Sequence, residues 1–186
     1  MIFRETNLPG AFVIEPERFE DERGFFARTW DVNEFAARGL NPRLVQCSIS
    51  FNRRVGTLRG MHYQAAPHEE AKLVRCTMGA IFDVIVDVRP GSPTFARWTG
   101  VELSAANRQL LYIPEGFAHG FQTLQDDSEV FYQISAFYQS DFARGFRWDD
   151  EAVGIVWPPA PAGGRIISAR DAAFPRLAEM TAASGE

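Results

Sequence analysis

A chain of 186 residues, 46% of them hydrophobic, suits one domain over residues 1–186 with a sizeable core. Its net charge of −5, without a basic stripe or a run of like charge, argues against a nucleic-acid binder. No apolar run approaches the roughly 18–20 residues of a membrane span, and MIFRETNLPG lacks a basic segment followed by an apolar one, so no secretion signal is visible and a cytoplasmic protein without a membrane partner is expected. Cys47 and Cys76 lie far apart and read as reduced thiols, most simply small buried hydrophobes.

Sixteen Phe, four Tyr and four Trp beside 15 Gly and 11 Pro point to a sheet-rich chain with many turns. DVNEFAARG (31–39) predicts a helix with Asp31 as N-cap and Gly39 as stop. AKLVRCTMGA predicts a strand ending in a glycine turn. IFDVIVDVRPGSP (81–93) alternates Phe82, Val84, Val86 and Val88 against Asp83 and Asp87, then stops at Pro-Gly. WTGVELSA and RQLLYIP predict two strands joined at SAAN, and SEVFYQISAFY (128–138) another after the QDD turn. The Pro-, Ala- and Gly-rich stretch after Pro158 is expected on the surface as far as RIISARD, with a second short helix following SARDAAFP. The pattern is that of an all-β sandwich or barrel with few short peripheral helices.

Three stretches could carry chemistry: GTLRGMHYQ with Arg59 and His62, EEAKLVR with Lys72, and IPEGFAHGF with His119. A barrel mouth would gather them into one cavity. P-x-G-x-x-H at 114–119 resembles the second metal motif of cupins, but the first motif's paired histidines are reduced to His62-Tyr63-Gln64, and His68 falls in a loop. Imidazole-carboxylate metal sites want three or four converging ligands, so neither a metal nor a cofactor is expected. Acid–base chemistry fits better. Histidine can take and return protons near neutral pH. A proton removed beside a carbonyl leaves an enolate that needs a cation at its oxygen, and Lys72 is available. A tyrosine could return the proton on the other face, and Arg59 and Arg23 could clamp phosphates. Taken singly, Arg59 and Lys72 could be surface charges, His62 a satisfied core histidine, and Tyr132 and Tyr138, six apart in one strand, plain aromatics on one face. It is the constellation that supports the functional reading.

RGFFART, LRGMHYQ, KLVRCTMGAIFDVIVDVRPGSPTF, VELSAANRQLLYIPEGFAHGFQTL and FYQISAFY…RGFRWDD, in this order from about Arg4 to Asp171, resemble the dTDP-4-dehydrorhamnose 3,5-epimerase family, the third step of dTDP-rhamnose synthesis. The resemblance implies a cupin-type jelly roll, a homodimer, no metal, and a nucleotide-linked 4-keto-6-deoxy sugar as substrate. It makes His62 the base, Tyr132 the proton donor, Lys72 the enolate's partner, and Asp171 (or, failing it, Asp83) the carboxylate that orients His62. His119, Arg23 and Arg59 then contact phosphates, Tyr138 stacks on the base, and Arg28, Gln46, Ser48 and Arg170 fall at substrate-contacting positions. The chain departs from the family pattern where Arg28 replaces a glutamate, Gln46-Cys47-Ser48 replaces Gln-Asp-Asn, and Ala143 replaces a glutamate. All three departures are expected to contact the nucleotide, which leaves open a CDP-, UDP- or GDP-linked substrate, a single-centre epimerase or a ketoisomerase, and, from another class, a non-catalytic sugar-binding cupin.

Overall fold

The computed structural model describes residues 1–183. Strands β1 (Ile2–Glu5), β2 (Phe12–Glu15), β3 (Arg18–Asp21) and β4 (Gly24–Ala27) precede helix α1 (Val32–Ala36). Then come β5 (Gln46–Asn52), β6 (Leu58–Gln64), β7 (Lys72–Met78), β8 (Ala80–Asp87), β9 (Trp98–Ser104), β10 (Leu110–Ile113), β11 (Phe117–Thr123) and β12 (Ser128–Ile134). The chain continues through β13 (Ala143–Gly145) to two short helices, α2 (Ala169–Ala172) and α3 (Leu177–Ala183).

Two antiparallel sheets form the jelly roll, one ordered β1-β2-β10-β7-β12-β5 and the other β13-β6-β11-β8-β9. Alternation along each strand sends one set of side chains inward. Val74 and Cys76 of β7, Leu111 of β10 and Val130 of β12 meet Ile81 and Ile85 of β8, Leu103 of β9 and Phe121 of β11 in a shared core. Each such side chain, fully buried, contributes on the order of 1.5–3 kcal/mol. β8 is covered on its other face too, where Val84 and Val86 pack with Met61, Phe146 and Leu177 of α3. This double burial is why apolar residues stand on both faces of β8, Ile81 and Ile85 on one and Val84 and Val86 on the other.

The carboxylate of Asp31 caps α1 by accepting from the N–H groups of Asn33 and Glu34. The helix stops at Ala36, short of Gly39, which takes a left-handed φ of 69° in the turn that follows. The surface stretch beyond Pro158 returns at Ile166, which bridges to Thr57 beside β6. α2 starts inside SARD with Ser168 as its N-cap, and α3 follows Pro175.

Among the described residues, β3 and β4 pair only with each other, as a hairpin outside both sheets. The Phe25 ring there receives the guanidinium groups of Arg18 (5.3 Å) and Arg108 (4.7 Å). Phe19 and Phe26 remain 70% and 69% exposed.

Candidate active site

Between the sheets lies an open hollow of about 360 Å³. Each wall is built by strand periodicity. On β7, Lys72 shares a face with the core residues Val74 and Cys76 and so points inward at the strand's end. On β12, Tyr132 sits opposite Val74 on one side and Ser48 of β5 on the other. Gln46, Ser48 and Ser50 of β5 therefore face the hollow. Cys47 and Ile49 face outward, so Cys47, expected at the nucleotide, points away from this chain's hollow.

The opposite wall depends on an irregularity. His62 of β6 pairs with His119 of β11, and Arg59 with Phe121, so three steps on β6 match two on β11. In a regular strand Arg59 and His62 would face opposite ways; the bulge turns both into the hollow. The strands approach too closely there for side chains. A Cβ on Gly60, whose φ is 123°, would lie 2.6 Å from the Cα of Gly120, and one on Gly120 would lie 2.6 Å from the sulfur of Met61.

Asp171, on α2, places one carboxylate oxygen 2.9 Å from His62 Nε2, and its other oxygen accepts the Gly60 N–H at 3.1 Å. Burial alone would raise its pKa, but hydrogen bonding to His62, the attraction of that ring, and the bonds from Gly60 and Ser168 outweigh it and hold the carboxyl below its usual value. Nδ1 of His62 has no protein partner among the described residues. Asp83 serves the other histidine: its carboxylate lies 2.7 Å from His119 Nε2, and both residues are buried. The His119 and Tyr132 rings meet in a T-shaped arrangement, 5.9 Å between their centroids. Burial, with the Asp83 charge adding to it and Arg59 opposing, pushes the Tyr132 hydroxyl pKa well up, so the phenol keeps its proton at neutral pH. Lys72 Nζ is 2.9 Å from a carboxylate oxygen of Glu70, and Arg59 donates from Nε to Asn52 Oδ1 at 2.8 Å.

Tyr138 reaches the hollow from beyond the end of β12, which stops at Ile134, so the two tyrosines do not share one strand. Its backbone N–H donates to Gln46 Oε1 at 2.7 Å. It also borders a smaller recess of about 130 Å³ with His62, Ala143, Arg144 and Arg170. The structure thus brings His62, Lys72, Tyr132, Arg59, His119, Gln46, Ser48 and Tyr138 to one hollow, with Asp171 behind His62 and Arg170 at the adjoining recess. Arg23 and Arg28 are not brought there within one chain. Arg23 stands 85% exposed between β3 and β4, ion-paired to Asp21, and Arg28 pairs with Asp31 at 3.3 Å. Sequence reasoning did not single out Glu70; its place two residues before Lys72, on the same side of an extended segment, was the available signal. Among the described residues, no three His, Cys, Asp or Glu side chains gather as a metal-binding group, and no helix is long and apolar enough to cross a membrane.

Fold and hollow together define a cupin-type jelly roll with a polar site between its sheets. The model of the dTDP-4-dehydrorhamnose 3,5-epimerase family matches residues 5–179, and the chain belongs to that family. The dTDP-4-dehydrorhamnose 3,5-epimerase of Sinorhizobium fredii is 41% identical over 180 residues, covering 97% of this chain and 91% of its own. The Legionella pneumophila 3,5-epimerase, solved in complex with dTDP-4-keto-L-rhamnose, superimposes with a TM-score of 0.91 at 35% identity, covering 98% of this chain and 95% of that one. A 3′-monoepimerase from Streptomyces bikiniensis, in complex with dTDP-quinovose, gives a TM-score of 0.88 at 32% identity, covering 96% and 89%.

Proposed function

We propose that this protein inverts C3 and C5 of a dTDP-linked 4-keto-6-deoxy sugar, converting dTDP-4-dehydro-6-deoxy-D-glucose to dTDP-4-dehydro-L-rhamnose in the cytoplasm. The observation that carries this reading is that His62 and Tyr132 stand on opposing sheets of one hollow, with Lys72 beside the tyrosine's wall. The 4-keto group acidifies the neighbouring C–H bonds. Nδ1 of His62 takes the proton, the C–H electron pair moves into the enolate, and Asp171 steadies the imidazolium through Nε2. The Lys72 ammonium donates to the enolate oxygen. Tyr132 then gives its proton to the opposite face of the carbon, and solvent resets both groups. The ketone itself activates the carbon, so the scheme calls on no metal or redox cofactor.

Arg59 and His119 hold phosphates in this scheme, Tyr138 stacks on the base, and Gln46, Ser48 and Arg170 contact the nucleotide. Arg23 and Arg28 enter from a second subunit of a homodimer. A second reading, inversion at one carbon only, is favoured by the likeness to the Streptomyces monoepimerase. Turnover in deuterium oxide separates the readings by mass. Two deuterons in the product are expected; one would mean a single centre, and none would leave binding without catalysis. Running dTDP-, CDP-, UDP- and GDP-linked substrates side by side tests the carrier. A tenfold preference in kcat/KM for dTDP, about 1.4 kcal/mol of differential transition-state binding, is the expected result despite Arg28, Ser48 and Ala143.

A further inference from the structure

Of the 19 basic residues in this chain, one is a lysine, and it is Lys72. The other 18 are arginines. An ammonium is a compact charge on a flexible stem, and it acts at a defined point only if something fixes it there. Glu70 provides the fixture: its Oε1 lies 2.9 Å from Nζ, and the two side chains are only 11% and 10% exposed. Glu70 borders both the main hollow and the adjoining recess, and among the described residues it is the only carboxylate that does. The charged and titratable groups around the pair are Arg59, His62, His119, Tyr132 and Tyr138 in the hollow, Tyr63, Arg144 and Arg170 in the recess, and Tyr112 and Arg43 in the crevice behind Lys72. Asp171 and Asp83 are engaged behind their histidines. A carboxylate paired to Lys72 adds no attraction for a diphosphate in this hollow. Its position is accounted for by what it does to Lys72.

We propose that Glu70 is a positioning residue for the epimerisation: through its ion pair it holds the Lys72 ammonium at the place of the substrate's keto oxygen. The proposal rests on the reading of Lys72 as the enolate's partner. Glu70→Ala is expected to lower kcat about tenfold with KM within twofold, because the contact matters when charge develops on the oxygen. Glu70→Gln, which keeps an acceptor oxygen, is expected to restore kcat to within about threefold of the wild type. In a Lys72→Met background, Glu70→Ala is expected to cost nothing further, the mark of a residue acting through its neighbour. An equal cost in both backgrounds, or full activity of Glu70→Ala, would overturn the proposal. Should Glu70→Ala fail to fold, Glu70→Ser carries the same comparison.

A readout independent of turnover follows from the single lysine. Acetylation of Lys72 by an amine-selective reagent, followed by peptide mass, is expected to run several-fold faster in Glu70→Ala than in the wild type and Glu70→Gln. Equal rates in all three would overturn the proposal. If the wild type turned over no 4-keto sugar nucleotide, the functional reading would fall, and the labelling rates would still decide whether Glu70 holds Lys72.

Discussion

The two ring nitrogens of His62 have different neighbours, and that difference sets what the residue can do. Nε2 is held by Asp171, whose carboxyl sits below its usual pKa and so is ionised at neutral pH. An ionised carboxylate accepts, so Nε2 carries the hydrogen and Nδ1 keeps the lone pair. Asp171→Asn preserves the shape but lets the amide present a donor to Nε2, which favours the wrong tautomer. Turnover is expected to fall by about 10²–10⁴-fold while binding of dTDP changes little. Stopped kinetics beside calorimetric titration of dTDP would check it; turnover within threefold of the wild type would show that Asp171 does not set the tautomer. Residue type and spacing in the sequence sufficed to single out His62, Lys72 and His119, because few side chains do proton or enolate chemistry. They could not name the partner of His62: the family resemblance offered Asp171 with Asp83 as fallback, since 109 residues separate His62 from Asp171 and only the fold assigns Asp83 to His119. Glu70 passed as one more charge of EEAKLVR, because its meaning lies in burial beside Lys72.

At the scale of elements, β8, β9 and β12 were legible because apolar alternation and turn residues are local signals. The bulge that turns Arg59 and His62 to the same side was not, because it belongs to the pairing of β6 with β11 and not to either strand alone. Tyr138 was misplaced for a similar reason: β-prone residues continue past Ile134, but the ladder with β5 and β7 ends there. The end of β8 carries its own device. Asp87 is fully buried and binds Arg89 by two side-chain bonds, along with the hydroxyls of Ser92 and Thr94, tying down the turn into β9. Burial would raise its pKa, yet these bonds bring it down to about 2. A depressed carboxyl stabilises the fold above its unfolded value, near 4, and that contribution disappears as pH falls through about 2. The shift corresponds to about 2 kcal/mol. Asp87→Asn is therefore expected to lower Tm at pH 7 by several degrees, with the gap to the wild type narrowing between pH 4 and pH 2. A gap that stays constant with pH would assign the loss to packing rather than to charge.

For the whole molecule, one chain presents a hollow without Arg23 and a hairpin without a place to go. Phe19 and Phe26 on the hairpin and Ile49 of β5 are largely exposed, and Phe51 of β5 and Met78 at the end of β7 are about half exposed. A further hollow of about 410 Å³ opens between the hairpin and β7, lined by Phe25, Phe26, Arg75 and Thr77. Apolar surface on this scale favours a partner, and a twofold pairing of identical faces closes without leaving a copy unsatisfied. In the proposed homodimer the hairpins cross, so that each active site combines His62 of one subunit with Arg23 of the other. Mixed dimers test this arrangement directly. Arg23→Ala and His62→Ala homodimers are each expected to be severely impaired, the first through a lost charge-assisted phosphate contact and the second through the lost base. When the two variants are mixed under subunit exchange, about half of the dimers pair one chain of each kind. In such a dimer one site carries both defects, while the other unites an intact His62 with an intact Arg23. Activity is then expected to recover to about a quarter of the wild-type value. If the site were complete within one chain, mixing would return only the average of the two parents, and the crossed hairpin would have to be abandoned.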